Sequence, residues 1–534
     1  MARPSFRRTW LYPMGALAFI AIAIVATLYA IDVHWTGGPA DKTGRTYQFF
    51  FFDDKTITDA VSGLGAMVAG VLGLVVSVVS IIVQLSAERY TGVTAMFLKD
   101  RTNISVMAFY VIACVCGVWV SLSVRESFVP RLTVTFMLCT VMLALVLMAP
   151  YFAYVFRFLE PSRIVHRIQS EASRTAARGA RAGGEASEAA QAVTLGAMEE
   201  LTDITSNSIS GKDKIIASNA VDALKDLALR YIALKKDVQP EWFAIGAAIR
   251  DNPDFVAMDP ESLDDLEKLR TWFEWKIMRQ YLGIYNEALG QMRDIAYLIA
   301  IDTRYIGEAA ADKKDKAVVA LVFRYMNSYI RATLNAKDVR TAYNVFNQYR
   351  KLVEAMLKKG MADEAVTAVG YMRYYAHVSY DLKLSFVTET IAYDVSSICQ
   401  LANELGVPEE EQILKAFLDL DRPTFERAQE NALKGVRKAQ VKLASYYMSK
   451  KSAERARLIR DDMMHEPRER LRAIRDELVR VESKDFWEIN DRGRNFEFMP
   501  EPQRSAMIEF FKGFEDLDAD PRASSAGAEP AKSA

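Results

Sequence analysis

Four long runs without a charged side chain constrain this chain more than any other feature of its sequence. They cover residues 14–31, 64–85, 103–124 and 132–156. Each run is close to the ~20 residues that an α-helix needs to cross the hydrocarbon core of a bilayer. In lipid, only helices and closed barrels satisfy all their own backbone hydrogen bonds. We therefore predict four transmembrane helices within residues 1–160.

The first run has two interpretations. Arg3, Arg7 and Arg8 precede it, as basic residues precede the apolar part of a secretory signal peptide. The run is long for a signal peptide, however, and Leu28-Tyr29-Ala30 is a poor cleavage site. We predict a retained membrane anchor, with a cleaved signal peptide as the alternative. The orientation of the other three helices is the same in both cases.

Basic residues near the ends of the runs predict that orientation. Both the N-terminus and the segment after the fourth run are rich in arginine, whereas aspartates outnumber basic residues in the first loop. We therefore predict cytoplasmic termini and a periplasmic loop near residues 33–58. Basic residues beside a membrane attract anionic headgroups by about 1 kcal/mol each. The candidate lipid contacts after the fourth run are Arg157, Arg163, Arg167, Arg174, Arg178 and Arg181.

Small and weakly polar residues recur along one face of the second run. This small-residue stripe consists of Ala66, Gly70, Gly73, Ser77, Ser80 and Gln84. Its spacing alternates between four and three residues, which is the period of left-handed helix packing, and small residues let membrane helices approach closely. One interpretation is a seam between helices of a single chain. The other is a surface that faces the axis of an oligomer, where serine and glutamine oxygens line a narrow pore.

The remainder of the chain has a different composition. Of 67 basic and 68 acidic residues, only 12 and 9 lie within residues 1–160. The mean hydropathy of 0.00 is therefore an average over a lipid-solvated region and a water-solvated one. The net charge of −1 gives no overall field for binding nucleic acid, so we expect no nucleic-acid partner.

Helical periodicity dominates the charged part of the chain. We predict a basic juxtamembrane helix and hinge over residues 161–192, with Gly183-Gly184 as the break, and a cytosolic α-helical domain over residues 193–516. Asp213 is a candidate N-cap, and Gly360 and Gly406 are candidate helix ends. The aromatic segment from Trp272 to Tyr285 is expected in the core.

The larger, C-terminal part of the helical region suggests a repeat. Residues 318–512 loosely resemble tetratricopeptide helix pairs, but no 34-residue period is fixed over three repeats. A solenoid-like cytosolic domain is one form that this pattern predicts, and solenoid surfaces bind peptides or other subunits. Residues 517–534 are rich in Ala, Ser, Pro and Asp, and we predict a disordered tail there. The predicted fold class is all-α.

Several short motifs of the membrane region occur together in one known arrangement. They are Gln84-Leu85-Ser86, Arg89-Tyr90, Phe97-Leu98-Lys99-Asp100-Arg101 and Phe128-Val129-Pro130-Arg131-Leu132. With them the chain resembles an uncharacterised family of predicted bacterial integral membrane proteins, a domain of unknown function. The resemblance implies a four-span bacterial inner-membrane protein with a cytosolic domain. It implies no activity, ligand or catalytic residue.

No known catalytic motif is present. The four histidines are far apart in the sequence, and no H-E-x-x-H, G-x-S-x-G or Walker-type loop occurs. We therefore expect no enzyme, cofactor or metal site. The first functional hypothesis is a homo-oligomeric, membrane-anchored helical platform for protein–protein interaction. The alternative is an oligomeric channel in which the second transmembrane helix lines a pore for an ion or small solute.

Overall fold

The computed structural model describes most of the chain. The described residues are 54–87, 93–124, 130–420, 427–486, 491–493, 495–514 and 517, with isolated positions between 16 and 34. Within these residues, every regular element is a helix, as predicted. The chain divides into two compact units, residues 1–168 and 169–534. The division lies a few residues after the boundary expected at residue 160.

Among the described residues from 54 to 158, the first unit has three long apolar helices and one short helix. They are α1 (Asp54–Ala87), α2 (Val93–Leu98), α3 (Arg101–Ser123) and α4 (Arg131–Phe158). Helices α1, α3 and α4 are long and apolar enough to cross a membrane, which confirms the predictions for the second, third and fourth runs. The first predicted span, at residues 14–31, lies mostly outside the described residues. Helix α1 begins at Asp54, so residues 54–58 of the predicted loop near 33–58 belong to the helix.

Helix α1 is the centre of this unit, since it packs against both α3 and α4. Its buried residues Val61, Val68 and Val75 recur every seven residues, so they form one continuous face. Ala113 and Val120 of α3 and Met137 and Val141 of α4 complete the same buried cluster. The seam between the three helices is therefore made of valine, alanine and methionine.

The second unit is a succession of helices joined by short turns. Helix α5 (Pro161–Gly179) spans the boundary between the units, and its end and the start of α6 match the predicted break at Gly183-Gly184. The helices that follow are α6 (Glu185–Ser210), α7 (Lys214–Leu234), α8 (Ala247–Arg250), α9 (Pro260–Lys268), α10 (Trp272–Gln291), α11 (Arg293–Asp312), α12 (Lys316–Asn335), α13 (Val339–Lys358), α14 (Ala362–Asp381), α15 (Ser385–Leu405), α16 (Glu410–Leu418), α17 (Arg427–Ser449), α18 (Ala453–Asp462), α19 (Arg468–Val479) and α20 (Glu501–Lys512).

The turns from α11 to α16 have one recurring geometry. A residue in the left-handed conformation ends each helix, and these residues recur every 23 positions: Lys314, Lys337, Gly360, Lys383 and Gly406. In the second turn the Asp338 amide donates to the Thr333 carbonyl at 3.2 Å, which is the bond of a Schellman motif. The Asp338 carboxylate then accepts from the Thr341 amide at 3.1 Å and caps α13.

The turns at Gly360 and Gly406 confirm the helix ends predicted there. The N-cap predicted at Asp213 is also confirmed, since its carboxylate accepts from the Ile216 amide at the start of α7. The spacing of these turns can be compared with the tetratricopeptide period, although the loose likeness over residues 318–512 stays a prediction. A helix pair with its turns occupies 46 residues here, from Lys314 to Gly360, rather than 34. The difference arises because each of α12, α13 and α14 is 20 residues long.

Alternate helices of this region pack against one another in two rows. Along the first row α7 contacts α11, α11 contacts α13, α13 contacts α15, and α15 contacts α17. Along the second row α6 contacts α10, followed by α12, α14 and α16. Sequential neighbours also touch, so each helix from α11 to α15 is held by neighbours in both rows.

Aromatic side chains of α10 fill the core near the start of the rows. Trp272, Phe273, Tyr281 and Tyr285 are fully buried, which confirms the predicted core segment. The ring of Phe273 stacks on that of Tyr231 at 3.8 Å between centroids. Such pairs contribute about 0.5–1.5 kcal/mol beyond their buried area.

A buried lysine fixes the irregular segment that precedes α9. Lys276 is fully buried, and its Nζ donates to Glu199 Oε1 at 2.7 Å, to Asn252 Oδ1 at 2.9 Å and to Asp254 Oδ2 at 2.6 Å. An ammonium group has three donors, so all of them are used. The removal of one partner would leave a buried charge incompletely paired, which typically costs about 3–5 kcal/mol.

A glycine on α17 makes room for an acidic side chain of α15. A Cβ at Gly435 would lie 2.8–2.9 Å from three side-chain atoms of Glu389. Burial raises the pKa of Glu389 to about 7, helped by Glu497 and Glu477 and opposed by Lys438 and Lys434. The carboxyl group is therefore protonated in the folded chain at mildly acidic pH.

We predict that this carboxyl group makes the protein less stable as pH rises. An unfolded glutamate has a pKa of about 4.3, so the cost of ionising Glu389 in the fold is absent below that pH and complete above about 7. Glu389→Gln removes the cost and should stabilise the protein at pH 8 relative to pH 5 by about 2 kcal/mol. Thermal unfolding at both pH values measures this difference. The control Glu411→Gln, at an exposed position of α16, should show no such dependence.

Candidate functional site in the membrane region

The structure places the whole small-residue stripe on the outer surface of the described part of α1. Ala66, Gly70, Gly73, Ser77, Ser80 and Gln84 are all exposed. A Cβ built at Gly70 or at Gly73 meets no atom within 4 Å. The contacts of α1 with α3 and α4 use the valine face instead. The buried cluster between α1, α3 and α4 therefore contains no residue of the stripe.

One glycine pair does lie in the seam. Gly65 of α1 faces Gly117 of α3, and a Cβ at Gly117 would lie 3.2 Å from the Gly65 Cα and 2.9 Å from the Met137 Cε. The two backbones approach closely here because neither residue has a side chain. The close contact explains why Gly117, which is uncharged and unremarkable in the sequence, is needed at this position.

A cavity lies beside the end of the stripe. Its volume is about 460 Å³, and α1, α2 and α3 line it mainly with apolar side chains such as Val83, Leu98 and Met107. Ser80 and Gln84 of the stripe also line it. The last part of the stripe therefore borders a concave apolar surface, whereas Gly70 and Gly73 lie on an open one.

Polar side chains tie the ends of α3 and α4 together. The Asp100 carboxylate caps α3 by accepting from the Thr102 and Asn103 amides at 3.0 and 3.1 Å. The Tyr154 hydroxyl donates to the same carboxylate at 2.5 Å. The Tyr151 hydroxyl donates to Asn103 Oδ1 at 2.6 Å. These bonds hold the start of α3 against the last turns of α4.

The same network includes helix α2. The side-chain nitrogen Nδ2 of Asn103 donates to the Phe97 carbonyl at 3.1 Å. The Phe97 ring meets the Phe158 ring edge to face, with 5.3 Å between centroids. Asn103 is only 5% exposed, so its amide depends on these partners. We call Asp100, Asn103, Tyr151 and Tyr154 the polar clasp.

The sequence analysis did not identify the polar clasp. The available signal was Asn103 at the edge of an apolar run and the Tyr151 and Tyr154 pair three residues apart in another. Polar groups at such positions in membrane helices need partners. What the sequence did not show is which residues pair, because the bonds join positions 48 and 54 residues apart.

The six juxtamembrane arginines have different surroundings. Arg163 pairs with Glu160 at 2.6 Å, and the Arg167 guanidinium lies 3.8 Å from the centroid of the Phe158 ring. Arg174, Arg178 and Arg181 are exposed, while Arg157 is half-buried. Contact of this set with lipid stays a prediction.

No group of three or more His, Cys, Asp or Glu side chains that would suit a metal ion occurs among the described residues. Cys114, Cys116 and Cys139 of the membrane helices and Cys399 of α15 form no disulfide with one another. The polar clasp contains one carboxylate, one amide and two phenols, and all four side chains are bonded within the unit. Its geometry positions helices.

One family of proteins matches this chain. The profile of a family described as "Predicted membrane protein (DUF2254)" matches residues 7–297, which is more than half of the chain. No curated protein and no solved structure matches. The matched segment contains the stripe, the polar clasp and the helices up to the start of α11.

We predict that added bulk lowers the stability of the fold at Gly117 and leaves it unchanged at Gly73. Gly117→Val places side-chain atoms where the Gly65 backbone and Met137 lie, and overpacking of this kind typically costs about 1–3 kcal/mol. Gly73→Val adds the same atoms on an open surface and should leave the fold of the monomeric unit unchanged. Thermal unfolding in detergent measures both. An equal loss of stability in the two variants would contradict the packing described here.

Proposed function

This chain belongs to the DUF2254 family of predicted membrane proteins, and we propose that it is a homo-oligomeric platform, anchored in a bacterial inner membrane, that binds other proteins through its cytosolic helices. The outward-facing stripe on α1 is the observation on which this proposal rests. The proposal retains the four membrane spans and the cytoplasmic termini predicted from the sequence.

The stripe supports an oligomer because lipid gives membrane helices no hydrophobic reason to associate. Close backbone packing and polar contacts supply the association energy instead. The valine face of α1 is already buried against α3 and α4. The opposite face exposes two glycines, two serines and a glutamine at a regular period. A second copy of α1 packed on Gly70 and Gly73 would give Gln84 a polar partner across the interface.

The predicted first span is the competing neighbour of the stripe. Residues 14–31 lie mostly outside the described residues, so a seam between that span and α1 is the in-chain alternative. The two arrangements differ in what they predict for the whole protein, since a seam with the first span leaves a monomer. Only a second copy makes the stripe an interface between chains.

The two rows of helices support a binding role for the cytosolic unit. Helices that pack on sequence neighbours and on alternate neighbours, with turns every 23 residues, support the solenoid-like array that we propose. Such arrays present long continuous surfaces to peptides and protein subunits. We propose a non-catalytic role on this basis, with the bilayer and partner proteins as the binding partners.

We predict that bulk on the stripe weakens the oligomer. Gly73→Leu places a large side chain at the proposed helix contact and should raise the dissociation constant at least about tenfold, the equivalent of about 1.4 kcal/mol. Light scattering in detergent measures the mass of the particle. Ala69→Leu, on an exposed position of α1 outside the stripe, is the control and should leave the mass unchanged. A wild-type protein that is monomeric at all concentrations would refute the platform as proposed.

The channel is the second candidate, because Ser77, Ser80 and Gln84 are exposed polar positions within the candidate span of α1. If they line a pore in the oligomer, cysteines at these positions in a cysteine-free background should react with membrane-impermeant thiol reagents, and the purified protein should conduct in planar bilayers. Leu74→Cys, at an exposed lipid-side position, is the control. Protection of all three cysteines together with an absence of conductance would exclude the channel and leave the platform.

A further inference from the structure

A short non-helical segment between α19 and α20 lies against three successive helices of the first row. The described residues of this segment are 480–486, 491–493 and 495–500, and the contacts below involve residues 491–493 and 495–497. Its side chains and backbone contact α13 through Tyr343 and Asn344, α15 through Tyr393 and Asp394, and α17 through Lys438 and Lys442. We call residues 491–497 the strap.

An arginine anchors one end of the strap. The Arg492 side chain is 4% exposed, and its guanidinium pairs with the buried Asp394 carboxylate at 2.6 Å. It also donates to the Tyr343 carbonyl and lies 4.1 Å from the centroid of the Tyr343 ring. Asp394 receives a second guanidinium from Arg350 at 3.2 Å. The groove thus provides an acidic pocket with an aromatic wall for one arginine.

A glycine in the left-handed conformation follows this anchor. Gly493 has a φ of +64°, a conformation that glycine adopts without steric cost. The Asp491 carboxylate accepts from the Asn344 side chain at 2.9 Å, just before the arginine. The turn directs the following residues along α15 and α17.

An aromatic residue anchors the other end. The Phe496 ring stacks on the Tyr393 ring, with 5.3 Å between centroids and 13° between planes, and meets the Tyr343 ring at 5.8 Å. The Phe496 carbonyl accepts from Lys442 at 2.5 Å, and Glu497 pairs with Lys438 at 2.7 Å. The groove therefore contacts an arginine, an aromatic ring, a backbone carbonyl and an acid in that order.

The contacts of the strap with the groove resemble those of a bound peptide and differ from the helix–helix contacts of the two rows. The strap belongs to neither row, and it binds through pockets for separated side chains and through one main-chain bond. Extended peptides are recognised in this way on the surfaces of helical arrays and sheet edges. The three helices form the pockets with their own residues, namely Tyr343, Tyr393 and Asp394 together with Lys438 and Lys442.

We propose that the groove of α13, α15 and α17 is a peptide-binding site, which the strap of the same chain occupies. The site accepts an extended segment of a partner protein. That segment has an arginine, an aromatic residue four positions later and an acidic residue directly after the aromatic one. This inference deepens the proposed function, since it assigns the platform's binding surface and the chemistry of its partner.

The strap competes with such a partner. A tethered segment acts at an effective concentration in the millimolar range, so an identical free peptide binds only weakly while the strap is in place. A partner gains access when the strap is weakened or when its own segment makes further contacts. The strap therefore sets a threshold for binding.

A peptide-binding measurement on the full chain in detergent tests this inference. The probe is a fluorescent peptide of residues 488–499, and the readout is its anisotropy. We expect Arg492→Ala combined with Phe496→Ala to bind the probe at least tenfold more tightly than the wild type. Asp394→Asn added to the double variant should weaken that binding. Phe486→Ala, an exposed aromatic position near the strap, is the matched control and should behave as the wild type.

A second variant keeps the test decisive. If the double variant fails to fold, as judged by circular dichroism, Phe496→Ala alone should show the same direction of change. A folded strap variant that binds the probe no more tightly than the wild type, or as well as it binds a probe with the arginine and phenylalanine replaced by alanine, would refute the peptide site. That result leaves the oligomeric platform untouched, because the mass measurement on Gly73→Leu is independent of the strap.

Discussion

Because lipid tails are as apolar as the side chains of α1, moving these side chains from lipid into a helix contact gains no hydrophobic free energy. The arrangement of the membrane unit depends on this constraint. Its helices associate by close packing and by polar bonds instead. The Gly65 and Gly117 pair gives α1 and α3 their close approach, and the polar clasp holds α3 to α4. Both devices lie on one side of α1. The opposite face has small residues that are exposed, and its end at Ser80 and Gln84 borders the cavity that α2 and α3 also line.

The second unit, residues 169–534, is organised differently. Left-handed turns at fixed spacing reverse the chain after helices of equal length, so alternate helices come to lie side by side. Each added helix contacts neighbours in both rows, and the strap lies on the surface of α13, α15 and α17 of the first row. An oligomer of the membrane unit would bring several such surfaces together. Linked sites bind a multivalent partner more tightly than one site does.

The sequence predicted the parts of this fold that depend on local pattern. Three membrane helices follow from uncharged runs, the cap at Asp213 from its residue type, and the turns at Gly360 and Gly406 from glycine. Turns that end in Lys337 or Lys383 were not identified, because lysine seldom adopts that conformation. The polar clasp and the strap join residues that are distant in the chain, such as Arg492 and Asp394, and no spacing rule connects them. Which face of α1 is buried also depended on α3 and α4.

Disulfide cross-linking in native membranes shows whether the stripe of one copy of the chain faces the stripe of a second copy. Cysteines at Gly73 and Ser77 are compared with one at Val79, which is buried in the chain, in a background whose native cysteines are alanine. Two cysteines cross-link only when their Cα atoms lie within about 7 Å. The account predicts a covalent dimer of twice 60.0 kDa from the stripe positions and none from Val79. Monomer at both stripe positions under full oxidation would contradict it.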